Sequence, residues 1–289
     1  MVGLVWGSAY VFIREGLLLG ATPLAFASLR YLLSAIAFAL IAAVRRDRRP
    51  ARRDLLVSAS VGGVLIIGLY GGLLYWGEQF TTGGYAAVLA STAPLLTVAV
   101  GYPLLRSERL SARGLLGMAV GFVGAIVLVL PQLSGSAVGS WQGPLFVIAA
   151  IASVAVGTVV LRRIGRGPQG LWQITSQFAT AGILLGAAAL ILPVRESVPL
   201  TSGIVGALVV LVVFSSLLGY FAYFALHHRV GPVRANVVAY VAPLVGVAVG
   251  SGVFGEPVTL YELLGVAIVL GGVSLVLLDA ARRAVRPAS

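Results

Sequence analysis

The chain has 289 residues, of which 59% are hydrophobic and 10% charged, and its mean hydropathy is +1.03. So small a charged fraction excludes a water-soluble domain of this length, and the absence of cysteine excludes disulfides and thiolate metal sites. The net charge of +11 is not a nucleic-acid signature, because the arginines that supply it cluster in the joins between apolar runs.

Those runs are about 18–23 residues long, the length needed to cross about 30 Å of hydrocarbon at about 1.5 Å per residue. In chain order they predict spans at 2–20, 24–44, 55–77, 84–105, 113–131, 142–161, 170–192, 202–226, 233–254 and 261–279. The expectation is an all-α membrane protein with ten transmembrane helices, set in a bacterial-type plasma (inner) membrane, with joins too short for a soluble domain. The opening residues MVGLVWGSAYVF have neither a basic n-region nor a small-residue cleavage site, so the first run reads as a span and not as a signal peptide.

Arg45, Arg46, Arg48, Arg49, Arg52 and Arg53 follow span 2, and Arg106, Arg109 and Arg113 follow span 4. Arg162, Arg163 and Arg166 follow span 6, Arg229 and Arg234 follow span 8, and Arg282, Arg283 and Arg286 follow span 10. The even-numbered exits thus hold 17 of the 20 arginines, while the opposite loops hold only Arg195. Basic residues accumulate on the cytoplasmic side, which places both termini there. The alternation also checks the number of spans, because one missed span would scramble it.

Two stretches about 148 residues apart match, Tyr85–Leu130 and Val233–Leu278. Ala93-Pro94-Leu95 faces Ala242-Pro243-Leu244, and Val98-Ala99-Val100-Gly101 faces Val247-Ala248-Val249-Gly250. Further on, Glu108 faces Glu256, Leu115-Leu116-Gly117 faces Leu263-Leu264-Gly265, and Gly124 faces Gly272. Five spans separate the copies, an odd number, so the two sit in opposite orientations in the membrane. Inverted repeats are a construction of secondary transporters, with a binding site between the halves near the midplane. Duplication without transport is the plainer alternative.

Trp6-Gly7-Ser8-Ala9 in span 1, Leu29-Arg30-Tyr31 in span 2, and the two Ala-Pro-Leu blocks join the turns Ser107-Glu108-Arg109-Leu110-Ser111 and Gly255-Glu256-Pro257-Val258-Thr259. Over nearly its whole length the chain resembles the EamA-type branch of the drug/metabolite transporter superfamily. The resemblance implies two inverted five-helix repeats, at 1–131 and 142–279, followed by a cytoplasmic tail at 280–289. It implies export of amino acids, related metabolites or toxic compounds, with spans 5 and 10 peripheral and the other eight around a cavity. It brings no cofactor and no residue set that names the cargo.

Candidate substrate-binding residues follow from polarity at membrane depth. Pro94 and Pro243 each lack an N–H in mid-span and displace the carbonyl four residues earlier, at Ala90 or Ala239. Helical spacing puts Ser91 on the face of Pro94, and Asn236 and Tyr240 on the face of Pro243. Each proline reads either as a kink offering polar groups to a substrate or as a packing kink alone. Arg14, Glu15, Arg30 and Glu78 are ionisable residues within or near span ends, toward the outer half. Arg30 is the deepest, and Gln177 takes its place in the second repeat. Glu78 suits a proton, a substrate amine, or an ion pair with Arg14 or Arg30. Trp6 and Tyr10, four apart on one face of span 1, suit a cavity lining, whereas Tyr75-Trp76 and Tyr223-Phe224 also suit an interfacial belt.

Other features read as structural. His227-His228 ends span 8, and adjacent histidines share no helix face, so no metal site is assigned. Glu108 and Glu256 are paired in the repeat but fall on opposite membrane faces, and they suit backbone N–H groups at their turns. Thr259 and Glu262 form a capping box, and Ser111 suits the cap of span 5. Gly117, Gly121 and Gly124 make a small-residue ridge, suited to contact within one chain or between the two copies of a homodimer. An intramembrane enzyme is the rival class, but the chain has no HExxH, phosphate loop, GxSxG or cysteine. A non-transporting scaffold is the other rival, and it has no need of Arg30 or the proline pair. The expected partners are a small-molecule substrate, protons and the lipid bilayer, with no nucleic acid.

Overall fold

The computed structural model describes residues 2–101, 111–133, 140–164, 170–192, 196–223, 225 and 238–285. These residues form helices and no strand. They are α1 (Val2–Leu18), α2 (Pro23–Val44), α3 (Arg52–Gly77), α4 (Gly83–Gly101) and α5 (Ala112–Leu133). The second half holds α6 (Gln142–Arg163), α7 (Leu171–Ile191), α8 (Ser202–Tyr223), α9 (Val238–Phe254) and α10 (Leu260–Val285). Among the described residues 7 helices are long and apolar enough to cross a membrane, and Ala112–Leu128 and Val241–Phe254 are shorter apolar helices. In lipid a helix satisfies its own backbone groups, so an apolar chain with short joins has this solution available to it.

Local chemistry sets several helix ends. Pro23 stands at the start of α2, where its missing N–H has no intrahelical partner to lose. Thr82 caps α4 by accepting the Tyr85 N–H at 3.2 Å, and Thr201 does the same for Ile204 at 3.4 Å. The capping box of α10 is present: the Glu262 carboxylate accepts the Thr259 N–H at 2.9 Å, and the Thr259 hydroxyl accepts the Glu262 N–H at 3.2 Å. Ser111 accepts the Gly114 N–H at 3.4 Å at the start of α5.

Two helices are wound more loosely over part of their length, α3 over Ser58–Leu69 and α8 over Val210–Leu218, with hydrogen bonds spanning five residues. The two proline spans differ. In α4 the helix stops at Ala90 and restarts at Ala93, so Pro94 sits in the first turn of the second segment. The Ser91 and Thr92 hydroxyls donate to the Val88 and Leu89 carbonyls at 2.6 and 2.7 Å, capping the interrupted first segment. Pro243 instead lies inside the continuous α9.

Close approach decides the packing. α1 lies against α9, with Gly7 facing the Ala242 carbonyl and Val245, while Gly246 of α9 faces Ala87 of α4. α2 packs along α7, and α7 along the loosely wound part of α3. α5 and α10 form the most extensive pair. On α5, Gly117 meets Gly272 and Leu275, and Gly124 meets Val269, while Gly121 meets Leu95 of α4 as well as Gly272. The glycine ridge is therefore occupied within one chain. The pair is tied at one end by Asp279, whose Oδ2 accepts the Ser111 N–H at 3.0 Å and whose Oδ1 accepts the Ser111 hydroxyl.

Candidate functional site

Arg30 lies two helical turns inside α2, roughly 10 Å from its start, and is half-buried. Its two terminal nitrogens donate to the Tyr75 hydroxyl at 3.1 Å and to the Ser215 hydroxyl at 3.0 Å. Its guanidinium carbon lies 5.4 Å from the centroid of the Tyr31 ring, a cation–π distance. The Nε is buried and has no hydrogen-bond partner. Ser215 sits in the loosely wound part of α8 and also accepts, through its carbonyl, the Trp6 indole N–H at 3.1 Å. One residue of α8 thus receives both Trp6 of α1 and Arg30 of α2.

Aromatic rings surround this junction. Trp6 meets Tyr220 and Tyr223 at centroid distances of 5.9 and 5.3 Å. Phe178 of α7 meets Tyr31 at 5.7 Å and Tyr220 at 5.4 Å. Tyr10 and Tyr70 share a hydroxyl–hydroxyl hydrogen bond of 2.9 Å between α1 and α3. Trp6, Tyr10, Tyr70 and Tyr220 are half-buried, whereas Tyr31 and Tyr75 are buried.

Glu78, just past the end of α3, is 0% exposed, and neither carboxylate oxygen has a hydrogen-bond partner. Neither arginine nearby bonds its carboxylate. Arg14 instead donates to the backbone carbonyls of Glu78 and Gln79 at 2.6 and 3.0 Å, placing a cation at the carbonyl end of α3.

Of the candidate residues read from the sequence, Trp6, Tyr10 and Arg30 thus border one tyrosine-rich region, and Glu78 follows Tyr75 by three residues. Gln177 is elsewhere: buried in α7, it donates to the Ser58 hydroxyl of α3 at 2.8 Å and is packed on Gly62. Ser91 turns its hydroxyl back onto its own helix. Pro94 and Pro243 are placed as described above. The Tyr240 backbone belongs to α9, but its side chain lies outside the described residues, as do Asn236, Glu108 and His227-His228. Tyr70, Ser215 and Tyr220 were not singled out from the sequence, and Tyr31 entered only through the Leu29-Arg30-Tyr31 block. The signal for Ser215 is a Ser-Ser pair inside an otherwise apolar run, and the signal for Tyr31 is its place beside Arg30.

The EamA-like transporter family matches residues 1–130 and again 141–278. The chain belongs to the EamA-like transporter family. It is 31% identical over 279 residues to the inner membrane transporter YedA of Escherichia coli, covering 95% of this chain and 88% of that one. It is 27% identical over 282 residues to a probable amino-acid metabolite efflux pump of Salmonella typhimurium, covering 94% and 91%. A transporter of Archaeoglobus fulgidus is 25% identical over 274 residues, covering 94% of each. One solved crystal structure superposes with a TM-score of 0.64 at 19% identity, covering 97% of this chain and 98% of that one, a likeness of fold. With its membrane-capable helices, this EamA-family chain is a multi-pass membrane protein.

Proposed function

We propose that this protein is a secondary transporter that exports small metabolites by alternating access. The cargo class is amino acids, related metabolites or amphipathic compounds, in keeping with the name of the Salmonella relative, an amino-acid metabolite efflux pump. The pathway runs between the first four helices of each half, α1–α4 and α6–α9, with α5 and α10 outside it. The halves are inverted repeats, both termini are cytoplasmic, and the membrane is the inner one. Trp6, Tyr10 and Arg30 face the cargo, Asn236 and Tyr240 complete the lining from the second half, and Glu78 carries a proton. No residue is assigned to catalysis.

One observation carries the reading: Arg30 stands within a membrane-capable helix and, among the described residues, bonds only to neutral hydroxyls. A cation at that depth is costly unless it faces a polar path or a ligand, and a scaffold has no use for one. The test is reconstitution of the full chain in liposomes loaded with pooled amino acids and amphipathic metabolites, with and without a pH gradient. Release of at least one solute, above that from protein-free vesicles, is the expected result. No release of any solute at any gradient overturns the reading.

A further inference from the structure

We propose that the Arg30 site takes an organic carboxylate, an anion on an apolar or aromatic body. This rests on the transport reading only for what happens to the ligand after it binds.

A guanidinium offers five N–H donors in a planar fork. Here two are used by the neutral hydroxyls of Tyr75 and Ser215, while Nε is buried and has no acceptor. No carboxylate among the described residues bonds the group. Glu78, three residues beyond Tyr75, has both oxygens unbonded. The Tyr31 ring at 5.4 Å stabilises the cation through its electron-rich face but brings no negative charge.

The surroundings set the rest of the ligand. Trp6 and Arg30 are held together because both bond Ser215, one through its carbonyl and the other through its hydroxyl. Tyr220 and Tyr223, both half-buried, extend the aromatic surface from there. A carboxylate at Arg30 then lays an apolar body along these rings, whereas an amine in the same place meets a like charge. The ligand would touch α1, α2 and α8 together, so its binding free energy acts directly on the relative positions of helices from both halves.

The experiment uses the purified full chain in detergent and a panel of aromatic and aliphatic carboxylates, each paired with its own amide; 3-phenylpropionate and 3-phenylpropionamide are one such pair. At least one carboxylate is expected to raise the unfolding temperature where its amide does not. Arg30→Gln is expected to weaken that carboxylate by about tenfold or more, the scale of a charge-assisted hydrogen bond. Because the variant can fail to fold, phenylglyoxal modification of the wild-type chain is followed at Arg30 by mass spectrometry. The same carboxylate is expected to slow that modification several-fold, and its amide to leave it unchanged. Equal effects of acids and amides, full carboxylate binding by Arg30→Gln, or an Arg30 that never reacts would each overturn the proposal. Liposome efflux separates this from the transport reading. Solutes that cross regardless of a carboxyl group sink the carboxylate site alone, and Arg30-dependent carboxylate binding with no solute crossing sinks transport alone.

Discussion

Glu256 reaches from the turn before α10 to Gly83, the first residue of α4, where its Oε1 accepts the Gly83 N–H at 2.8 Å. Its Oε2 accepts the next N–H, of Gly84, at 2.9 Å. A carboxylate thus occupies the electropositive start of a helix in the other half of the chain. Glu256→Ala leaves both N–H groups without that acceptor, at a cost of about 1–3 kcal/mol. A lower unfolding temperature in detergent is the expected outcome. An unchanged temperature would show that water replaces the carboxylate freely.

The α5–α10 contact makes two adjacent glycines unequal. A Cβ at Gly272 would press on the Gly121 backbone, whereas one at Gly271 meets nothing within 4 Å. Gly272→Ala is expected to destabilise by about 1–3 kcal/mol through overpacking. Gly271→Ala is expected to be neutral or slightly stabilising, since alanine is favoured over glycine in a helix by up to about 1 kcal/mol. Thermal unfolding of the two variants side by side decides the matter, and equal behaviour would contradict the packing.

Orientation has a simple test, because the chain has no cysteine of its own. Ala51→Cys and Ser197→Cys both place a thiol at an exposed position in a join. In intact cells a membrane-impermeant maleimide is expected to label the second and not the first, until the membrane is permeabilised. The reverse pattern would invert the topology drawn from the arginines.

Glu78 is buried with neither oxygen bonded, and an unpaired carboxylate there is costly in its charged form. Glu78→Gln, neutral and nearly isosteric, is expected to keep or raise the unfolding temperature. If Glu78 carries protons, the same variant loses any effect of a pH gradient on efflux from liposomes. A variant that no longer folds, or one that still responds fully to the gradient, would remove Glu78 from that role.

Much of this was legible beforehand. Apolar run length alone announces a helical membrane protein, and Thr259 and Glu262 announce their capping box through local spacing. Arg30 and Glu78 stand out because charge is rare in such runs. Neighbours that depend on tertiary contact were not legible. Arg14 looks like a counter-ion for Glu78 but bonds backbone carbonyls instead, and Gln177, expected to take the place of Arg30 in the second repeat, bonds Ser58 between α3 and α7. Glu256 accepts backbone N–H bonds as anticipated, but from Gly83 and Gly84 at the start of α4 and not at its own turn.

The sequence by itself determined that the chain is a helical membrane protein, the arginine asymmetry that predicts its direction, and the resemblance to a transporter family. These follow from solvent preference and short-range spacing, which act residue by residue along the chain. Only the tertiary structure decided that Trp6 and Arg30 meet at Ser215, and that the α5 glycines face α10 within one chain. In an apolar medium, hydrophobicity does not choose among helix pairings. Small-residue contacts and a few polar bonds make that choice, and they join residues far apart in sequence.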